Sequence, residues 1–212
     1  MAVGVAVSPL PIVALILMLL TPKARSTGTA FALGWVIGLA AVVIVAVALG
    51  GTLTPSDGGG SGTLDTLKIV GGAALIFMGV RRWRRHAATG ADHEEPKWMA
   101  DIDSTGPGKA LVLGAALSGV NPKNLILGLA AGASIAQTEV AGSDRVVAIA
   151  AYVLLGSLTI VGVLAFFLAL GRRAENALQG LRTWLVANSA AVMSVVFVVM
   201  GAVILGKGVA GR

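Results

Sequence analysis

The sequence predicts an all-α integral membrane protein: six transmembrane helices forming two inverted three-helix repeats, with helices one and four broken. Three observations carry that prediction. Of the 212 residues, 56% are apolar and only 12% charged, where a soluble domain carries about 25% charged residues; the mean hydropathy is +0.89. Six apolar stretches of spanning length follow one another, without the ten-residue alternation of an outer-membrane barrel. Prolines then interrupt the first and the fourth of these stretches, in Ser8-Pro9-Leu10-Pro11 and in Asn121-Pro122-Lys123-Asn124.

Span one runs from about Ala2 to Leu20. It has no basic leader and no small-residue cleavage site, so it reads as a membrane helix and not as a signal peptide. A basic turn with Lys23 and Arg25 leads to span two, about Ala30 to Leu49. There Gly34, Gly38 and Ala41 recur at near-helical spacing, as close helix packing in lipid requires. Gly50 to Thr63 is a Gly/Ser-rich connection. Span three, about Leu64 to Trp83, ends in Arg81-Arg82-Trp83-Arg84-Arg85, an aromatic and basic interfacial anchor. The polar segment His86 to Gly108 holds both histidines. His93-Glu94-Glu95 lacks the helical pairing and third ligand of a metal site. Pro96-Lys97-Trp98-Met99 reads as a short interfacial segment. Span four is Ala110 to Ala136, span five about Val146 to Leu170 and span six about Leu185 to Leu205. The chain is thus one transmembrane domain, 1–212, with repeat one at about 1–85, a polar cytoplasmic loop at about 86–108 and repeat two at about 109–212.

The break in span four is the most informative stretch. Proline removes a backbone donor and clashes with the preceding turn, which frees carbonyls near Leu117, Ser118 and Gly119. In hydrocarbon these groups need partners from other helices, side chains or water. Lys123 adds a further cost of roughly 3 kcal/mol at that depth. Together they predict a polar site inside the bundle, made of Ser8, Pro9 and Pro11 from the first break and Asn121, Pro122, Lys123 and Asn124 from the second. Lys123 is the one ionisable residue read as clearly intramembrane, the nearest acids, Asp65 and Glu139, lying near span ends. A lysine without a carboxylate favours an anionic partner: carboxylate, phosphate or sulfate. The alternative is a structural lysine that bonds the freed carbonyls or snorkels.

Eleven of the sixteen Lys and Arg lie in loops one, three and five, against four on the other side. The positive-inside rule therefore puts both termini outside the cytoplasm. Aligning Ser8-Pro9 with Asn121-Pro122 also brings Ala30, at the start of span two, onto Ser143, just before span five. Three spans per half means that the halves face opposite ways, the pattern of secondary transporters with a site at the repeat interface. There are no cysteines, hence no disulfide framework or thiolate chemistry. No catalytic triad, metal cluster or nucleotide-binding loop is present, so neither enzyme activity nor a cofactor or metal is expected. The net charge of +6 reflects orientation and anionic lipid, not nucleic acid binding.

The paired breaks resemble the lysine exporter superfamily of six-span proteins. More closely, the chain is similar to the mycobacterial branch that addresses sulfolipid and glycopeptidolipid to the cell surface. The stretches that carry this are Ser8 to Arg25, Phe31 to Leu39, Pro96 to Asp103 and Leu117 to Ala136. Amino-acid exporters of the superfamily carry Pro-Gly-Pro in the first helix, where this chain has Pro9-Leu10-Pro11, and the missing glycine favours the lipid branch. The resemblance implies a bacterial plasma-membrane transporter or translocation factor for a glycolipid or other anionic lipid, acting beside a larger lipid exporter. A small-solute exporter of amino acids or cations driven by an ion gradient, and a non-transporting accessory subunit of a lipid exporter, are the competing readings. A homodimer is left open.

Overall fold

The computed structural model describes residues 1–52, 61–89, 102, 105–138 and 142–210, and every regular element among them is helical. Helix α1 (Ala2–Ala6) and α2 (Pro9–Leu19) form the first, broken helix. They are followed by α3 (Ala24–Thr52), α4 (Ser61–Thr89), α5 (Pro107–Gly119), α6 (Pro122–Gln137), α7 (Ser143–Leu170) and α8 (Glu175–Ala210). A 3-10 turn, Gly171–Ala174, joins α7 to α8. It opens on Gly171 at φ +56°, a left-handed conformation that glycine adopts without strain.

Both predicted breaks are present. Pro9 opens α2 and Pro122 opens α6, each at a first helical position, where a missing N–H costs nothing to the new helix. Helices α5 and α6 meet at 63°. Ala24–Leu49 and Ser143–Ala210 are long and apolar enough to cross a membrane, the second stretch containing both α7 and α8, and the bent α5–α6 pair qualifies as one further span. Helix α4 is not among these stretches; Asp65, Lys68 and the arginines from Arg81 bracket an uncharged run at Ile69–Val80.

The helices outrun the apolar stretches that announced them. The expected surface connection from Gly50 to Thr63 is helical at both ends, since α3 continues to Thr52 and α4 starts at Ser61. The expected polar segment from His86 loses its first residues to α4 and its last to α5. Helix α8 begins ten residues before the predicted Leu185. Hydropathy marks what lipid covers, whereas the backbone goes on hydrogen-bonding past that boundary until a proline, a glycine or a turn stops it. His93-Glu94-Glu95 and Pro96-Lys97-Trp98-Met99 lie outside the described residues.

Helix α2 is the axis of the fold, buried at Pro9, from Pro11 to Ile16, and at Met18 and Leu19. Helices α3, α7 and α8 pack around it. Two seams of small residues hold the rest. On α3 and α5, a Cβ at Gly34 would strike the Leu111 carbonyl and one at Gly114 the Phe31 carbonyl, so these backbones touch directly. On α4 and α8, a Cβ at Gly72 would lie 2.6 Å from the Leu205 nitrogen and one at Gly201 would lie 2.7 Å from the Gly72 oxygen. Lipid offers no hydrophobic drive for helix pairing, so close van der Waals approach takes its place.

Candidate functional site

The two breaks meet, and Lys123 joins them. Consider the carbonyls left open at the end of α1. Pro9 and Pro11 have no N–H, so Val5 and Val7 lose their helical donors. The Ser8 N–H turns to Ala6 O at 3.0 Å, which withdraws the donor that Gly4 would have received. These three carbonyls therefore need other partners, and each has one. The Lys123 ammonium donates to Gly4 O at 2.6 Å and to Val7 O at 2.9 Å. The Ser8 hydroxyl donates to Val5 O at 2.6 Å. Ala6 O accepts the Ser8 N–H and also the Thr159 hydroxyl, at 2.7 Å, from α7. The third ammonium donor goes to Ser8 Oγ at 2.6 Å.

The second break is held by its own asparagines. Asn121 caps α6, its Oδ1 accepting the Lys123 backbone N–H at 3.0 Å. Asn124 Nδ2 donates back to Leu117 O at 3.2 Å, one of the carbonyls that Pro122 was expected to free. Lys123 is 1% exposed, Asn124 0% and Ser8 2%, which places the whole arrangement inside protein and away from lipid. A lysine so buried is tolerable only because all three N–H groups are bonded, since an unpaired buried charge costs several kcal/mol.

Of the sequence-predicted residues, the structure bonds Ser8, Asn121 and Lys123 into one cluster around the breaks, and Asn124 bonds separately to Leu117 O. Pro9, Pro11 and Pro122 act through the donors they lack, and their own side chains make no polar contact. Sequence reasoning missed Thr159, which lies in an apolar helix with nothing beside it to mark it. It also missed three buried polar atoms without partners, Tyr152 Oη, Ser157 Oγ and Trp35 Nε1, and the Oδ1 of the expected Asn124 is a fourth. The Tyr152 hydroxyl lies 3.6 Å from where Gly128, one turn beyond Asn124, would carry a Cβ.

One expectation needs correcting. Lys123 is not the sole lysine within the bundle, nor does every acid lie clear of it. Lys68 and Asp65, on α4, are 7% and 2% exposed and pair at 3.0 Å. Lys68 also donates to Gln137 Oε1 at the end of α6, at 2.5 Å. Asp65 looked peripheral because it lies near a span end in sequence. Packing against α8, where a Cβ on Gly208 would lie 2.8 Å from Asp65 O, takes it inside.

The fold and site together define an all-helical membrane protein whose two broken helices are fastened to each other by a buried lysine. The chain belongs to the family described as Sap, sulfolipid-1-addressing protein, whose model matches residues 1–210. No curated protein and no solved structure matches the chain significantly.

Proposed function

We propose that this protein is a bacterial inner-membrane translocation factor that moves a sulfated or otherwise anionic glycolipid toward the cell surface. The observation that carries the reading is the Lys123 ammonium, buried between the two helix breaks and bonded there only to neutral acceptors. Carbonyls and a hydroxyl are weaker acceptors for an ammonium than a sulfate or carboxylate. An anionic headgroup entering the layer competes for the same three N–H groups. If it takes them, α1 loses its hold on α6. Helix α1 is a single turn of five residues, and the Thr159 hydroxyl and the burial of Val5 keep it against α7 while the lysine is exchanged. Asn124 Oδ1 and the Tyr152 hydroxyl then offer an acceptor and a donor to sugar hydroxyls. The tails stay in lipid along the apolar outer faces of α3 and α7, where Ile37, Ile44, Leu154 and Leu158 are exposed.

The same reading places the chain in the lysine exporter superfamily, as six spans in two inverted repeats with both termini outside. The packing of the helices supports the repeat. Exchanging α1–α2 with α5–α6, α3 with α7, and α4 with α8 turns the α3–α5 pair into α7–α1, the α3–α6 pair into α7–α2, and the α2–α8 pair into α6–α4. All of these pairs pack in the structure. The α4–α8 pair maps onto itself, as a pair on a pseudo-twofold axis must.

A second reading has its own observation. All three Lys123 donors are already used, and this suits a purely structural pin in an accessory subunit that serves a larger lipid exporter. Surface lipid extraction separates the two. Cells lacking the protein receive wild type or Lys123→Met at matched protein level, and surface and total lipid are measured. Transport predicts that one anionic glycolipid falls at the surface, stays normal in total, and returns with wild type only. Full restoration by Lys123→Met rejects the site and favours the accessory role.

A further inference from the structure

The glycine seams divide much of the bundle into two closely packed units. In one, α3 lies against α5 at Gly34, Gly38 and Gly114 and against α6 at Gly128 and Gly132. In the other, α4 lies against α8 at Gly72, Gly79, Gly201 and Gly208. Within each unit backbone meets backbone, and such surfaces move as rigid bodies more readily than they deform. Between α4 and α6 the approach is looser. At Gly71 a Cβ would meet the Ile126 side chain at 3.3 Å, with no backbone atom of α6 within 4 Å.

A polar tie joins α4 to α6 directly. Lys68, nearly buried and held by Asp65 at 3.0 Å, reaches across to Gln137 Oε1 at the last residue of α6. The first turn of α6 carries Lys123, bonded to α1. Helix α6 is thus held at both ends by a buried lysine, at one end belonging to it and at the other received from α4. The two ends differ in strength. Asp65 keeps Lys68 charge-paired whether or not Gln137 is bonded, so breaking the Gln137 bond strands no ion. Gln137 is itself exposed, and water can replace its partner. A tie of that kind opens at small cost.

We propose that Lys68, held in place by Asp65, is a catch that fastens the α3–α5–α6 unit to the α4–α8 unit at the end of α6, and that it lets go of Gln137 when the units part. This rests on the reading that the protein changes conformation to move a lipid, but its test needs no lipid. The chain has no cysteine, so Gly71→Cys with Ile126→Cys makes a single reporter pair, placed where a Cβ on Gly71 would lie 3.3 Å from the Ile126 side chain. Oxidant-driven cross-linking in membranes reads how closely α4 and α6 stay together. Adding Gln137→Leu, which leaves the Asp65–Lys68 pair intact at the exposed end of α6, is expected to slow cross-linking at least threefold. Gln137→Glu, which offers Lys68 a second carboxylate, is expected to match or exceed the parent rate. Equal rates in all three backgrounds overturn the proposal. So does a fully cross-linked protein that still restores surface lipid, because the units then need not part. If lipid export proves unrelated to this chain, the cross-linking comparison still decides the catch.

Discussion

Replacing Lys123 by methionine separates a binding lysine from a structural one, because the two roles predict different ratios of functional to structural loss. Methionine keeps much of the apolar stem and removes the ammonium. Gly4 O and Val7 O are then buried acceptors without donors, at about 1–3 kcal/mol each. The Ser8 hydroxyl keeps its own bond to Val5 O and adds little. Against this stands relief from burying a cation, roughly 3 kcal/mol on insertion scales. The net change lies between about −1 and +3 kcal/mol, which for a chain of this size shifts Tm by no more than roughly 12 °C. The variant is therefore expected to accumulate, purify as a single species and melt near wild type in detergent. If Lys123 meets the headgroup, surface lipid nonetheless falls at least tenfold. Lys123→Arg retains the charge without the compact three-donor geometry and is expected to recover part of the activity. Wild-type surface lipid from Lys123→Met at matched protein level refutes the reasoning. A variant too unstable to purify refutes the energy balance, and Lys123→Gln, which restores two donors, is then the one to compare.

The seams and caps give further expected outcomes. Gly34→Ala drives a methyl into the Leu111 carbonyl and is expected to cost about 1–3 kcal/mol, read as lost monodisperse protein on size exclusion. Gly162→Ala, with nothing within 4 Å of its added Cβ, is expected to be neutral or to stabilise by up to about 1 kcal/mol through helix propensity. Thr159→Val removes one of two donors to Ala6 O and is expected to lower stability by about 1 kcal/mol. Ser8→Ala strands both Val5 O and one ammonium donor, so its Tm is expected to fall below that of Thr159→Val. Asn121→Ala removes the α6 cap, at about 1 kcal/mol, visible as faster hydrogen exchange in the first turn of α6.

The breaks were legible in the sequence because proline acts locally. Whatever surrounds Pro9, Pro11 and Pro122, each lacks a donor, and the carbonyl four residues back must find another. The helical class was legible from composition. The destination of Lys123 was not. Sequence offers an intramembrane cation and two readings of it, and only the meeting of α1 with α6 shows that its donors rest on carbonyls freed in the other half of the chain. Thr159 was invisible for the same reason, since a lone threonine in an apolar helix looks like any packing residue until Ala6 O lies opposite it. The Asp65–Lys68 pair was misplaced because distance from a span end along the chain says nothing of which helix lies alongside. Helix α8 lies against α4 there and encloses them.

A resting lysine that is fully bonded is what a binding lysine in a membrane has to be. An ammonium left bare at this depth would draw in water or deform the bilayer between substrates. One bonded to an aspartate would be held too strongly for a lipid anion to displace, and removing it would strand the carboxylate. Backbone carbonyls lie between these extremes. They satisfy the cation geometrically and they carry no charge to leave behind. Lys68 shows the contrasting arrangement within the same molecule, since its carboxylate partner lies one turn away on its own helix and never leaves it. One lysine is held by a carboxylate of its own helix, and the other by neutral acceptors of another helix. The proline pairs are what make the second arrangement available, since an unbroken first helix would have no spare carbonyls to lend.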